Sequence, residues 1–412
     1  MLAGMTAAHW QPSPPLALVG GRSAPSASIT AQFASAVEFD VMAAEWDELL
    51  ARSRSHTLFL SWEWLRAWWR HWGEGKELKL VLVRNETGSL IGVCPLCLTR
   101  SSGIWPVRTL RFLGSEMVGS DYLDAFAEPG LEAEVAGAIL ELLDTSRREW
   151  DIVELTDGLP TSLVHQELAA IAPRLSMIAS SGPGQICPFL PLPPTAAELT
   201  ASLSQRTRRY FGQKRRKFEK AGGLLRRLET EAEVLQALPL LFDLHERRWN
   251  LKGLQGNFKA NRVRAFHFEV APLFFRRGWL RFYEATLDGK TQALLYAFQG
   301  PTTFSYYQSG FLPESSAFSP GGILLALGAE NAIREGRQVF DFLRGPEPYK
   351  GEWTHSLRET RSLRLIHRRN LAVRMRNRAW LTRNSARRLF KRILQGESAK
   401  FPAPPPDAPS ED

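Results

Sequence analysis

Residues 319–336 read Ser-Pro-Gly-Gly-Ile-Leu-Leu-Ala-Leu-Gly-Ala-Glu-Asn-Ala-Ile-Arg-Glu-Gly, a loop of small residues opening into an apolar helix. Gly321 and Gly322 allow a ligand to approach the backbone closely. The first turn of such a helix carries free N–H groups and partial positive charge, a ready seat for a phosphate or diphosphate. Ala326, Gly328, Ala329 and Ala332 let the helix lie close against a sheet. The loop is not a Walker A loop, since no Gly-Lys-Ser/Thr follows, and it lacks the full G-x-G-x-x-G spacing. The plain alternative is a helix start with Ser319 near its cap.

On either side the pattern is that of an α/β unit. Upstream, Trp279–Thr286, Thr291–Gln299 and Thr303–Phe311 read as strands, the first two joined by Leu287-Asp-Gly-Lys290, a strong hairpin signal. Downstream, Gln338–Leu343 reads as a strand within Phe340-Asp-Phe-Leu-Arg-Gly-Pro-Glu-Pro-Tyr-Lys-Gly-Glu-Trp353, whose loop concentrates Asp341, Arg344, Glu347, Tyr349 and Lys350. Loops at strand ends are where sites collect on α/β scaffolds, although a charged turn with internal ion pairs has the same composition. Helices are expected over Ala196–Leu203, Thr207–Lys220, Glu231–Asn250, Asn261–Arg276 and Gly322–Glu335.

The first half has the same order. Glu38–Arg52 and Phe59–Trp72 read as helices, the second with Ser61 as N-cap and Trp62, Leu65, Trp69 and Trp72 at helical spacing. So dense an aromatic stripe reads first as core, with a ligand cleft as the alternative. Leu78–Arg84 and Leu90–Thr99 read as a hairpin around residues 85–89, followed by a strand at Val107–Leu113, a helix at Leu131–Arg148 and a strand at Asp151–Leu155. Laying 80–98, with its neighbours, over 280–298 so that Gly88 falls over Gly289 sets strand over strand, a weak internal repeat that predicts two similar α/β lobes. The Pro/Gly-rich stretch Ser181–Pro194 marks the boundary between them.

The chain has 412 residues and a formal net charge of +9, but the charge is localised. Twelve Lys/Arg and no Asp or Glu fall between Arg361 and Gln395, leaving 40 basic against 43 acidic residues elsewhere. This distribution argues against a protein that binds nucleic acid over a whole face. Three cysteines build no disulfide framework in a chain this long, and no apolar run is long enough for a transmembrane helix. A reducing, cytoplasmic setting is expected. The tail carries Trp380, Leu389, Phe390 and Ile393 among its arginines, so peripheral contact with an anionic membrane at its inner face is a further expectation.

Together, the Ser-Pro-Gly helix, the Asp-Phe-Leu-Arg-Gly…Glu-Pro-Tyr-Lys succession, the Trp-rich block from Phe59 and the basic helix Gln205–Gly222 resemble the CelD-type (cellulose biosynthesis protein) acetyltransferases of the GNAT superfamily. These are related to the FemAB-like transferases. The resemblance spans residues 33–364. It implies an α/β (α+β) fold of two tandem GNAT-like lobes, each a mixed, mainly antiparallel sheet flanked by helices. These would be 31–190 and 191–365, between a disordered leader (1–30) and a basic helical tail with a disordered C-terminus (366–412). It further implies acetyl-CoA or another acyl-CoA as co-substrate, no metal, and direct transfer from the thioester to N or O of a sugar, polysaccharide or cell-envelope precursor. Ser319, Gly321, Gly322 and Ile323, with Arg344, Tyr349 and Lys350, are the expected donor-binding residues. The usual Q/R-x-x-G-x-G/A form of the diphosphate loop is absent.

Such chemistry needs a base for the nucleophile's proton, a donor for the oxyanion and an acid for the thiolate. Tyr306 and Tyr307 alternate across their strand, so one of them reaches the cleft, Tyr307 being the expected acid. Glu284 and Asp341 are the candidate bases. Cys94-Pro-Leu-Cys97 lacks the ligands of a zinc site and reads as strand packing. Arg206–Lys220 interleaves aromatics with cations and is suited to a phosphate-rich ligand such as the CoA 3′-phosphate, a nucleotide sugar or tRNA. Two rival expectations follow: an aminoacyl-tRNA-dependent transferase, and a non-catalytic scaffold that uses the basic tail as an address.

Overall fold

The computed structural model describes residues 29–102, 106–115, 118–250, 253, 256–345, 347–368, 373 and 375. The expected leader, up to residue 28, and the basic tail beyond 368, residues 373 and 375 apart, lie outside the described residues. The first half runs β1 (Thr30–Phe33), α1 (Ala36–Val41), α2 (Ala43–Arg52), α3 (Trp62–Trp72), β2 (Glu77–Leu78), β3 (Val81–Arg84), β4 (Leu90–Cys94), β5 (Leu96–Arg100) and β6 (Arg108–Phe112). It continues through β7 (Phe126–Ala127), α4 (Glu132–Thr145), β8 (Ile152–Gly158), a short α5 (Ala169–Ile171) and β9 (Met177–Pro191). The second half runs α6 (Ala196–Ser202), α7 (Gln205–Lys220), β10 (Leu224–Arg227), α8 (Glu231–Asn250), α9 (Asn261–Arg276), β11 (Leu280–Leu287) and β12 (Lys290–Gln299). Then come β13 (Thr303–Phe311), α10 (Pro320–Arg334), β14 (Val339–Asp341) and β15 (Leu357–His367).

Local chemistry explains most of these boundaries. Ser61 caps α3 by accepting from the Trp64 amide at 3.4 Å, and Thr195 caps α6 by accepting from the Glu198 amide at 3.2 Å. Asp288 (φ 50°) and Gly289 (φ 70°) both have the positive φ that a tight hairpin between β11 and β12 demands. Gly88, at φ 81°, also has positive φ in the turn between β3 and β4.

The fold is mixed α/β. A small sheet has the order β1-β3-β4-β7, and a large one β10-β11-β12-β13-β14-β9-β15-β8-β6-β5-β2. Among the described residues, only β13–β14 and β6–β8 are parallel pairs. The seam between the halves is exchanged: β9 of the first half pairs with β14, and β15 of the second half pairs with β8. The Pro/Gly-rich stretch thus forms most of a 15-residue central strand. Its ladder with β15 shifts register between Glu359 and Arg361, where Gly184 lies so close to Thr360 that a Cβ would come within 2.3 Å of the threonine hydroxyl. Gly is required there for close backbone approach. Pro95 divides the expected strand Leu90–Thr99 into β4 and β5, which belong to different sheets, so Cys94 and Cys97 are not neighbours along one strand. Both are buried, and burial pushes the Cys94 thiol up.

The tryptophan stripe is core. Trp64 is fully buried, packs edge-on against Phe266 (4.8 Å), Phe298 (5.6 Å) and Tyr307 (5.8 Å), and donates its indole N–H to Ser120 at 2.9 Å. This cluster joins α3 of the first half to α9 and β12 of the second, and sets how the two halves meet.

Candidate functional site

β13 and β14 pair only through Thr303–Val339, Phe304–Phe340 and Ser305–Asp341. Beyond that point β13 continues to Phe311, whereas the chain after Asp341 stays with β9. There the Phe342 amide donates to the Pro188 carbonyl and that of Gly345 to the Ile186 carbonyl, both at 3.0 Å. A wedge therefore opens between 306–311 and 342–350. A bulge lies beside it: Tyr296 pairs with Gln308 and Ala297 with Tyr306, leaving Tyr307 as the extra residue. Bulges re-aim side chains. Tyr306 faces the wedge, where its hydroxyl bonds Ser309 at 2.6 Å and receives that of Tyr349 at 3.4 Å.

One side of the wedge holds a cavity of about 290 Å³ whose floor is the start of α10. Ser319 sits in the left-handed region (φ 52°, ψ 50°) and gives no side-chain cap. The amides of Gly321 and Gly322 therefore have no intrahelical acceptor and face a cavity. A Cβ on Gly322 would lie 2.5 Å from the Phe211 ring, while one on Gly321 would meet only Phe311 at 3.5 Å. Gly322 is thus needed for packing, and Gly321 leaves space at the helix start. Facing them is Arg248 of α8, whose guanidinium lies 5.4 Å from the Phe311 ring centroid and 5.7 Å from that of Tyr349. Among the described residues, Arg248 has no carboxylate within ion-pair reach.

On the other side, a cavity of about 260 Å³ lies between the halves, lined by Asp121, Gln185, His245, Arg248, Gln308 and Arg344 among others. The two cavities share Arg248, Tyr306 and Tyr349 as walls. In the second, the cations other than Arg248 are committed. Arg344 Nε donates to Asp121 at 2.6 Å and its Nη2 lies 3.4 Å from Asp157. Lys350 donates to the carbonyls of Arg344 (2.9 Å) and Gly345 (3.0 Å) and pairs with Glu347 at 2.8 Å. Burial pushes Asp121 up to about 6. Burial also holds His245 down at about 4, so it is a neutral imidazole; its Nε2 accepts the Trp249 indole N–H at 2.9 Å.

The expected site residues are dispersed. Ser319, Gly321, Gly322 and Tyr349 line the α10 cavity, and Ile323 is buried just behind it. Arg344 and Lys350 instead hold the loop after β14 in place. Tyr307 touches the inter-half cavity, but its hydroxyl donates to the Val118 carbonyl and sits 3.3 Å from His267 Nε2. Asp341 lies on the opposite side of the sheet, in a separate cavity of about 260 Å³, where it receives Tyr122 (2.9 Å), Arg358 (2.7 Å) and the Leu343 amide (2.8 Å). Burial raises its pKa. Glu284 lines none of these cavities; it accepts from Arg226 at 2.8 Å and from Thr291 at 2.6 Å. Asp341 and Glu284 are therefore buried carboxylates whose donors are all internal. Arg248, Asp121 and Tyr122 were missed by sequence reasoning. Arg248 stands in a Glu-Arg-Arg-Trp run that looks like any solvated helix face, and nothing local marks the other two. Among the described residues, no group of three His, Cys, Asp or Glu is placed to hold a metal ion, and no helix is long and apolar enough to cross a membrane.

Residues 205–351 match the family described as acetyltransferase (GNAT) domain, which supports an acyltransferase. The match runs from α7 to the loop after β14 and so contains the wedge and the α10 cavity. None of the curated proteins matches the sequence. Among solved structures, FemX superimposes with a TM-score of 0.56 at 11% identity, over 80% of this chain and 96% of that one. A conserved protein of unknown function from Bacteroides thetaiotaomicron VPI-5482 gives a TM-score of 0.50 at 13% identity, over 82% of this chain and 100% of that one. A tandem GNAT protein from the clavulanic acid biosynthesis pathway gives 0.43 at 14% identity, over 82% and 98%. The first two likenesses are ones of fold.

Proposed function

We propose that the protein transfers an acyl group from acetyl-CoA or another acyl-CoA to an amine or hydroxyl, without a covalent enzyme intermediate. The observation that carries this reading is the α10 cavity: uncapped amides at Gly321 and Gly322 face the uncompensated guanidinium of Arg248 across a space that ends at the wedge. A diphosphate there meets N–H donors and the positive end of the helix on one wall and a cation on the other. Arg248 supplies from α8 the charge that the loop itself lacks. The pantetheine arm then enters the wedge, where unpaired strand edges offer it hydrogen bonds, and brings the thioester to Tyr306.

In this reading the acceptor occupies the cavity between the halves; its nitrogen or oxygen bonds to the thioester carbonyl as the C–S bond breaks, Tyr306 gives its proton to the departing thiolate, and the proton that the acceptor loses returns to Tyr306 directly or through Ser309 or Tyr349. Asp341 and Glu284 are positioning carboxylates rather than bases, because each is surrounded by its own donors. The CelD-type resemblance adds a sugar, polysaccharide or envelope precursor as acceptor. Calorimetry with acetyl-CoA and longer acyl-CoAs tests the donor: binding that weakens at least tenfold in Arg248→Ala is expected, and no binding at millimolar levels overturns the proposal. Exposed Arg206, Arg208 and Arg209 on α7 favour a second reading, an aminoacyl-tRNA donor. Binding of tRNA that falls steeply with salt, with no CoA binding, would establish that one instead.

A further inference from the structure

Behind the α10 cavity lies a smaller chamber of about 160 Å³ between α6, α7 and α10. Its walls are largely apolar, with Leu199 and Leu203 from α6 and Ile323 and Ala326 from α10. Phe211 and Trp353 belong to both spaces and form the partition, their ring centroids 4.9 Å apart and tilted by 32°. Because Phe211 rests directly on Gly322, the chamber begins one ring's width from the uncapped amides. Its charges are unequal. Glu330 is matched by Arg215 at 3.0 Å, whereas Arg208 at the rim is exposed and has no carboxylate partner among the described residues.

Apolar walls, two aromatic faces and one uncompensated cation, adjoining a diphosphate seat, make a set of groups that suits a purine nucleoside bearing a phosphate. A flat base stacks on aromatic rings whatever its identity, and a guanidinium binds a phosphate through paired donors. We infer that this chamber receives the adenosine end of the donor, with Arg208 facing its 3′-phosphate. The inference rests on the acyl-CoA reading and extends it. α6 and α7 then act as a binding cap laid over α10, so the basic helix serves the donor rather than a nucleic acid.

Calorimetric titration of the full chain with CoA, 3′-dephospho-CoA and 4′-phosphopantetheine tests it. Wild type is expected to bind CoA roughly tenfold more tightly than 3′-dephospho-CoA, the worth of one charge-assisted contact. Arg208→Gln should erase that difference and leave 4′-phosphopantetheine unaffected. Ala326→Leu, which fills the chamber, should weaken both nucleotides but not 4′-phosphopantetheine; unchanged thermal unfolding confirms that each variant is folded. If Arg208→Gln keeps the wild-type preference, or if wild type binds all three ligands equally, the inference fails while the acyl-CoA reading stands. If wild type binds none of the three, the acyl-CoA reading fails and the inference with it.

Discussion

Arg344 and Asp121 close the seam between the two halves: the arginine's Nε lies 2.6 Å from one carboxylate oxygen and its amide 3.0 Å from the other. Asp121 is wholly buried. Next to it, Tyr122 donates to Asp341, and both Tyr122 (φ 60°) and Leu343 (φ 56°) occupy the left-handed region, so the two facing segments are held in conformations that their own residues disfavour. The wedge depends on this contact, because the segment after Asp341 forms one of its sides.

Arg344→Ala leaves a buried carboxylate without its cation, and a loss of about 3–5 kcal/mol in urea unfolding is expected. Asp121 also has a pH signature. Its pKa is raised from 3.8 to about 6 in the folded state, so its contribution to stability is complete below about 4 and is lost as the pH rises through about 6. The stability of wild type relative to Asp121→Asn should therefore fall between those limits; a flat difference would refute the assignment.

His267 gives the opposite slope. It is fully buried among aromatic rings, its Nδ1 has no hydrogen-bond partner among the described residues, and burial pushes it down from 6.5 to about 3. The folded state holds it neutral, so its contribution is present above about 6.5 and is lost as the pH falls towards about 3. His267→Phe should flatten the acid limb of a stability profile, although His245, held at about 4, keeps part of the slope in the variant.

Two adjacent glycines should respond differently to alanine. Gly322→Ala drives a Cβ into the Phe211 ring and should destabilise by about 1–3 kcal/mol. Gly321→Ala fits sterically and should leave thermal stability unchanged or raised by about 0.5–1 kcal/mol, while weakening acetyl-CoA in calorimetry because its methyl group enters the diphosphate seat.

Under the proposed reaction, the two tyrosines of β13 divide between catalysis and packing. Tyr306→Phe should retain fold and CoA affinity but lower the rate of thiol release from acetyl-CoA by about 10²-fold. Tyr307→Phe, which strips the Val118 carbonyl of its donor, should lower stability by about 1–2 kcal/mol and leave turnover per folded molecule near wild type. Equal rate losses in the two variants would contradict the division.

Much of the C-terminal half was legible because its signals are local. The Asp288-Gly289 turn and the bounds of Thr303–Phe311, Glu231–Asn250 and Asn261–Arg276 all agree with the structure. β15 was not recognised: its arginines join the basic run that follows, which hides the alternation of Leu363 and Leu365 with polar residues. The loop of small residues at Ser319–Gly322 was readable from composition, but the opposite wall of its cavity was not. Arg248 lies some seventy residues earlier in the chain and faces the loop only because α8 packs on β13, where Gly310 has no side chain to hold the helix away.

By itself, then, the amino-acid order determined the helices and hairpins, since hydrophobic period and turn chemistry act over a few residues, whereas the left-handed Ser319 that leaves α10 uncapped is a feature of the structure. The tertiary structure alone decided that β9 and β15 cross between the halves, that Tyr306 rather than Tyr307 faces the wedge, and that Asp341 is bound by internal donors. Those outcomes depend on strand partners, a bulge and buried charges that meet across as many as 219 positions, and no local signal encodes an encounter at that range.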